Sequence, residues 1–195
     1  MLTCAPALRN LRFQLGNVKY ALPSRSFSTA VNTDALDKWI ESPPTHTLVD
    51  RFTFEHLSDL YITLPTRDGT RTPYITPEES QPLPYGHHLA FFHARQPESR
   101  LREDGTDEDI SPPKPFLRRM WAGGKITWNH GNPLLIGGKA TTTSTVEAAT
   151  KKGFEKGNPM VFVTQKIDIT MEDSKSPSVV EERSHVYFPE TAERK

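Results

Sequence analysis

Four runs with the character of β-strands occupy the chain from Gly123 onward, and they constrain the fold more than any other feature. In order they read GKITWNH, NPLLIGGKATTTSTVEAATKK, NPMVFVTQKIDITME and SVVEERSHVYFP. Between them stand NHGNP, KKGFEKGNP and EDSKSP, which carry the glycine, proline, asparagine and aspartate typical of turns. Short turns between consecutive strands predict an antiparallel meander of four strands, or five if an earlier segment joins it.

Two helical patterns precede these strands. Thr33–Pro44 begins with N-cap residue types and ends at a Pro-Pro pair, with apolar residues on one side: Leu36, Trp39 and Ile40. A second helix is predicted after Thr53, ending near Pro65, with an apolar stripe of Phe54, Leu57, Leu60 and Tyr61. Tyr85–Arg95 is short, apolar and aromatic, and it fits either a buried helix or a strand. Helices followed by strands form the α+β pattern, so we expect the sheet to wrap around one apolar helix.

The N-terminal segment Met1–Asn32 contains no aspartate or glutamate, and its basic residues are Arg9, Arg12, Lys19 and Arg25. The whole chain has 24 basic and 24 acidic residues; without these four it has 20 basic and 24 acidic residues, a net charge of −4. Such a segment, ending in SRSFSTA, is typical of a mitochondrial transit peptide. We expect residues 1–33 to be a leader lost on import into the matrix, together with the single cysteine, Cys4. The alternative is a disordered arm that is never cleaved.

Several function classes find no support in the sequence. No apolar run approaches the roughly 18 residues of a membrane helix, and a net charge of zero gives no sign of a nucleic-acid-binding face. The spacings of phosphate loops, zinc sites and the GxSxG elbow do not occur. We interpret His87, His88, His93 and His130 as packing or surface residues, and the acidic run Glu103–Asp109 as a solvated loop. We expect neither a metal nor a cofactor.

The segment PPKPFLRRMWAGGKITW has a different character. Arg118 and Arg119 offer the planar donor fork that suits phosphate or carboxylate, and Trp121 offers a flat surface for an adenine or an aromatic partner. Gly123 and Gly124 would let the backbone turn closely into the following strand. An anionic, adenine-bearing ligand such as coenzyme A would suit all three side chains. The alternative is that the arginines pair with acids across an interface and the tryptophan packs into the core.

A series of motifs carries a resemblance to a known family: LP before YGHHLAFF, the DGTDED loop, PPKPFLRRMWAGGKI, PLLIGGKA, KKGFEKGNPMVFVTQKIDI and VVEERSHVYF. In order and spacing they resemble the N-terminal half of the hydroxyacyl-thioester dehydratase type 2 and mesaconyl-C4-CoA hydratase group, which are MaoC-like hotdog dehydratases. RRMWAGG is the most specific of these motifs. The resemblance extends from Thr45 to Phe188.

This resemblance implies an α+β single hotdog over residues 34–188, with a long helix wrapped by an antiparallel sheet, and a tail at residues 189–195. It implies acyl thioesters of CoA or acyl carrier protein, reversible addition of water across an α,β double bond, and a role in mitochondrial fatty acid metabolism. Family enzymes are double hotdogs. Their reacting Asp and His lie in a motif of the form RYSALTFNxHxIHYD in the second half, and this chain does not contain it.

No residue of this chain is therefore assigned a catalytic role. The resemblance implies that a first half supplies walls of the acyl tunnel and part of the thioester cleft, and the candidate substrate-binding residues are Arg118, Arg119, Trp121, Gly123 and Gly124. The chain is then a dehydratase or hydratase without its catalytic second hotdog, or a non-catalytic subunit that binds acyl thioesters or pairs with a separate catalytic subunit. We expect a homodimer or a pairing with a second hotdog half, because a sheet edge would otherwise be exposed. We expect no binding to nucleic acid or membrane.

Overall fold

The computed structural model describes residues 32–64, 76–102, 105 and 110–190. It contains two α-helices, α1 (Asp34–Glu41) and α2 (Phe54–Thr63), and five strands: β1 (Thr45–Arg51), β2 (Arg118–Trp128), β3 (Lys139–Lys152), β4 (Met160–Met171) and β5 (Val179–Phe188). Single 3₁₀ turns lie at His87–Ala90, Glu98–Arg100 and Phe154–Lys156. None of the described helices is long and apolar enough to cross a membrane.

All five strands form one antiparallel sheet in the order β1-β3-β4-β5-β2. The predicted meander is right for β3, β4 and β5 and wrong for β2, which pairs with β5. The reason lies in the connection from β2 to β3, whose backbone does not form a hairpin. It bonds instead to the segment before the first 3₁₀ turn, where the Leu83 N–H donates to the Leu134 carbonyl at 2.7 Å and the Ile136 N–H donates to the Gln81 carbonyl at 2.9 Å.

Strand β1 was not among the predicted strands. It pairs along its whole length with β3, from Thr45 opposite Thr145 to Arg51 opposite Lys139. Its inward residues are His46, Leu48 and Asp50, all of which are only half-buried. Two of these three inward residues are polar, so the alternation that reveals a half-buried strand is hidden in the sequence.

Helix α1 confirms the first predicted helix. Its Leu36 is fully buried against Phe116, Val161 and Tyr187, and Trp39 and Ile40 pack around this cluster. Val161 lies at the start of β4, Tyr187 lies at the end of β5, and Phe116 lies just before β2. The helix therefore closes one end of the sheet's inner face with an apolar cluster.

Helix α2 confirms the second predicted helix and closes the opposite end. Its Leu57 is fully buried in a cluster with Phe52, Ile169 and Val179. Ile169 lies at the end of β4, Val179 starts β5, and Phe52 directly follows β1. The helix has only 10 residues, which span about 15 Å at the rise of an α-helix. This is shorter than the long helix that the resemblance implied, so the middle of the inner face is left to other segments.

The Tyr85–Arg95 segment is neither the helix nor the strand considered from the sequence. It makes one 3₁₀ turn at His87–Ala90 and continues as irregular backbone, with Phe92 at a φ of +60°. The loop is fixed in place by the Phe92 N–H, which donates to Asp50 Oδ2 at 3.0 Å. His56 of α2 also reaches it, with Nε2 at 2.8 Å from the Ala90 carbonyl oxygen. This segment forms a roof over the middle of the sheet.

The predicted α+β class and single hotdog fold are confirmed, because one antiparallel sheet carries the helix that follows β1 on its inner face. Three predictions stay predictions. The leader at residues 1–33 lies outside the described residues apart from Asn32 and Thr33, and so does the acidic run Glu103–Asp109 apart from Gly105. The tail is described only at Pro189 and Glu190.

Candidate functional site

A cavity of about 290 Å³ lies between the inner face of the sheet and the roof, and the roof contributes residues between 88 and 94 to its lining. We call it the polar cavity because of its floor, which is made by the side chains of Thr142, Ser144, Gln165, Glu181, Arg183 and His185. These residues stand in the middle of β3, β4 and β5, between the α1 and α2 clusters. The cavity therefore occupies the part of the inner face that neither helix covers.

Strand geometry explains why these polar groups share one face. Side chains alternate between the two faces of a strand, so Glu181, Arg183 and His185 point the same way along β5. Cross-strand pairing places Gln165 opposite Arg183 and Ile167 opposite Glu181 on the same face. Charged residues at alternate inward positions of a central strand are unusual, because burying a charge is costly unless it is paired.

Glu181 and Arg183 form that pair. The Arg183 Nε–H donates to Glu181 Oε1 at 2.6 Å, and an Nη2–H donates to Oε2 at 2.9 Å. Glu181 is buried, and bidentate bonds of this kind are among the strong ones. The carboxylate is thus held in a fixed position in the floor, with both oxygens already accepting hydrogen bonds.

His88 comes down from the roof onto this pair. Its side chain is 2% exposed, and its Nε2 lies 4.0 Å from Glu181 Oε2, beyond hydrogen-bond distance. Neither ring nitrogen has a hydrogen-bond partner among the described residues. Burial lowers the pKa of His88 below its ordinary value of 6.5, and the Glu181 charge opposes this shift only in part. The imidazole is therefore neutral near pH 7.

His185 is the second histidine on the cavity wall, and it is half-buried. Burial lowers its pKa, and the positive charges of Arg119 and Arg183 lower it further. Its ring meets the Trp121 indole edge to face, with centroids 5.3 Å apart and an interplanar angle of 83°. Arg119 forms no ion pair within the described parts of the chain. One end of the cavity is therefore electropositive, and we call Arg119, Trp121 and His185 its rim.

The five residues proposed from the sequence do not act as one group. Arg119 lines the polar cavity, and Trp121 lies on the same face, paired across the ladder with His185. Arg118 pairs with Phe188 and so points to the opposite face. The two arginines were expected at the entrance of a strand, but β2 already begins at Arg118, and its alternation separates them.

Gly123 and Gly124 lie inside β2, not before it, at a β-bulge that shifts the register between Trp121 and Gly123. Gly123 has a φ of +153°, which side-chain-bearing residues rarely adopt. A Cβ on Gly124 would stand 2.8 Å from the Glu182 carbonyl oxygen and 2.8 Å from the Trp121 ring. The two glycines therefore shape the strand and make room for the indole.

A second cavity, of about 430 Å³, lies beyond His88, which lines both. We call it the apolar cavity; its walls include Pro82, Leu83, Pro84, Tyr85, Trp128 and Leu134. On its wall the Tyr85 hydroxyl lies 3.0 Å from His130 Nδ1. His88 is thus the partition between a polar and an apolar space.

Sequence reasoning gave no site role to His88, His93 and His130, although each of them lines a cavity. It also missed Glu181 and Arg183. The one signal that could have revealed them is the pair of opposite charges two residues apart in SVVEERSHVYF, at positions that the strand's alternation turns inward.

The model of the hydroxyacyl-thioester dehydratase type 2 family matches residues 86–195, which is more than half of the chain. The chain belongs to this family, and the resemblance predicted from the sequence is confirmed. Mesaconyl-C(4)-CoA hydratase of Chloroflexus aurantiacus is 37% identical over 94 residues, which cover 47% of this chain and 32% of the relative. The match therefore spans about a third of that relative's length.

Two solved structures are also similar. A MaoC-like dehydratase from Rhodospirillum rubrum is 16% identical with a TM-score of 0.40, covering 76% of this chain and 92% of its own. The ChsH1-ChsH2 complex from Mycobacterium tuberculosis is 11% identical with a TM-score of 0.45, covering 83% of this chain and 93% of its own.

Proposed function

We propose that this chain is the acyl-binding hotdog of a 3-hydroxyacyl-thioester dehydratase or enoyl-thioester hydratase. The observation that carries the proposal is the polar cavity on the inner face of a hotdog that belongs to this family. The acyl group enters this cavity, and the thioester with the reacting carbons stays at the rim. In the hydration direction, water adds to C3 of the enoyl group and a proton adds to C2.

The acid and base of that reaction come, in this proposal, from a second hotdog unit. Glu181 is the one carboxylate among the described residues that line the polar cavity, and Arg183 occupies both of its oxygens. The Glu181 side chain is therefore committed to holding the Arg183 guanidinium in the cavity floor. The same observation favours the alternative that the chain is a non-catalytic subunit that binds the acyl thioester for a separate catalytic one.

The rim is proposed to receive the phosphate-bearing carrier, either CoA or the prosthetic group of acyl carrier protein. Arg119 offers a guanidinium without an ion-pair partner among the described residues, and its fork suits a phosphate. Trp121 offers an exposed indole beside it. Arg118 points away from the cavity and takes no part.

The proposed setting is the mitochondrial matrix, in fatty acid metabolism. It rests on the acid-free, basic N-terminal segment of residues 1–32. A fluorescent protein fused behind residues 1–33 tests it, and a fusion that fails to enter mitochondria would contradict it.

The two arginines give a matched test of the proposed rim. Both are exposed residues of the same strand and they point to opposite faces. We expect Arg119→Ala to weaken binding of crotonyl-CoA about fivefold, the size of one charge-assisted hydrogen bond partly screened by water. The loss should shrink as salt is added. Arg118→Ala is the control, and in isothermal titration it should bind crotonyl-CoA as tightly as the wild type does. Equal losses of affinity in both variants would mean that the rim does not bind the carrier.

A further inference from the structure

His88 is a buried polar group in a position that a purely structural residue would not need. It stands between the polar and the apolar cavity and lines both of them. Among the described residues, the aromatic ring beside the His88 imidazole on the side of the apolar cavity is that of Trp128, and the two ring centroids are 6.2 Å apart. An imidazole buried without a hydrogen bond is destabilising, so an apolar residue would separate the two cavities at lower cost.

The geometry around His88 selects one kind of ligand group. Nε2 of His88 and Oε2 of Glu181 are 4.0 Å apart, so a single oxygen can lie about 2.8 Å from both of them, at hydrogen-bond distance. The carboxylate can only accept a hydrogen bond, and Oε2 keeps a second lone pair beside the one that accepts from Arg183. The neutral imidazole can donate a hydrogen bond through Nε2–H. The oxygen that completes this arrangement must donate to Glu181 and accept from His88.

An alcohol hydroxyl meets both requirements. A carbonyl oxygen cannot donate, and a ligand carboxylate would be repelled by Glu181. A methylene chain would cover His88 and the floor residues without giving any of them a hydrogen bond, which is costly in a buried site. The charged groups that face His88 are Glu181 and Arg183, with His87 nearby on its own turn, and the Glu181–Arg183 pair leaves little net charge at this point.

We propose that His88 and Glu181 form a hydroxyl-binding point at the inner end of the polar cavity, and that the preferred acyl thioesters carry a hydroxyl group remote from the thioester. This inference rests on the proposed function, because it assumes that the acyl group enters from the rim. The His88 imidazole also closes the inner end of the polar cavity, so the acyl group of a ligand stops there and does not pass into the apolar cavity.

The test compares acyl-CoA esters with and without a terminal hydroxyl, from four to twelve carbons, by isothermal titration with the full chain. At the length that reaches His88, we expect the hydroxylated ester to bind about tenfold more tightly than the plain one, the value of one well-placed hydrogen bond. In His88→Leu the ratio of the affinity for the hydroxylated ester to that for the plain ester should fall to about one. In His88→Gln, whose amide nitrogen can stand where Nε2 does, part of the preference should return.

Two further variants complete the design. His87→Leu is the matched control, because His87 is the adjacent histidine and lies outside the lining of both cavities; its ratio should equal that of the wild type. His88→Ala should join the two cavities, so plain esters too long for the polar cavity should bind more tightly than they do to the wild type.

The outcomes separate the two proposals. If the wild type binds the esters but shows no hydroxyl preference at any length, the hydroxyl-binding point is wrong and the proposed function stands. A preference that survives in both His88→Leu and His88→Gln has the same meaning. If the folded wild-type chain binds none of the esters, the proposed function fails and this inference fails with it.

Discussion

One buried histidine, one half-buried histidine and an ion pair whose carboxylate is buried define the site among its single residues. Glu181 and Arg183 satisfy each other through two hydrogen bonds, while His88 and His185 are kept neutral by burial. Each member takes its position from β5 or from the roof segment. The chemistry of the cavity therefore depends on three side chains of β5 and on one histidine that is distant from them in sequence.

The lowered pKa of His88 predicts how stability depends on pH. A histidine whose pKa is lower in the folded state binds fewer protons there than in the unfolded chain, so the protein loses stability as the pH falls below about 6.5. We expect the melting temperature to drop between pH 7 and pH 5 and His88→Leu to flatten part of that drop. Above pH 7 the leucine variant should be at least as stable as the wild type, because it removes a buried imidazole without a hydrogen bond.

Thermal unfolding monitored by circular dichroism measures both effects. His87→Leu is again the control, and its profile should follow that of the wild type. Coincident profiles for His88→Leu and the wild type across this pH range would mean that the His88 imidazole is not held neutral by the fold.

The substrate-binding role predicted for Arg119 and Trp121 stays a prediction, whereas their positions are now known. The guanidinium and indole of Arg119 and Trp121 were singled out from RRMWAGG, and the structure places both at the cavity's electropositive end. The sequence did not distinguish Arg118 from Arg119, because the face to which each side chain points depends on its place in β2. His88 could not be told from His87, because only the 3₁₀ turn decides which of two adjacent histidines points inward.

Among the secondary-structure elements, those with local sequence signals were predicted, and those that depend on inward-facing polar residues or long-range pairing were not. Both helices and the strands β3, β4 and β5 follow from apolar periodicity and turn residues, which are local signals. Strand β1 was missed because His46 and Asp50 stand at inward positions. The pairing of β2 with β5 was missed because strand order depends on long-range contacts that no local pattern encodes.

Strand β2 is an edge strand that exposes two large apolar side chains, Met120 at 61% and Trp121 at 60%. Open edges with apolar residues favour association, so we propose that a second copy of this chain pairs here. We expect Met120→Lys to raise the dissociation constant of the dimer at least tenfold in sedimentation equilibrium, as a charge at the centre of an interface does. Val49→Lys on β1, the other edge, is the control; a monomeric wild type, or equal effects in both variants, would contradict this pairing.

In the whole molecule, two short helices cover the inner face of the sheet where the resemblance implied one long helix. Helix α1 and helix α2 cover opposite ends of the inner face, and the roof segment spans the middle without filling it. The polar cavity is a consequence of this division. The α+β class and the hotdog were predictable from the order of elements and from the family motifs. The cavity was not, because its floor, roof and rim come from segments distant in sequence.

We propose that this chain binds an acyl thioester and that the acid and base of the reaction come from a second hotdog. The most direct measurement follows crotonyl-CoA with the purified full chain alone, recording binding by titration and hydration by the loss of enoyl-thioester absorbance in the same sample. We expect binding without measurable turnover. Turnover that disappears on substitution of a histidine of this chain, or a folded sample that does not bind the ester at all, would contradict it.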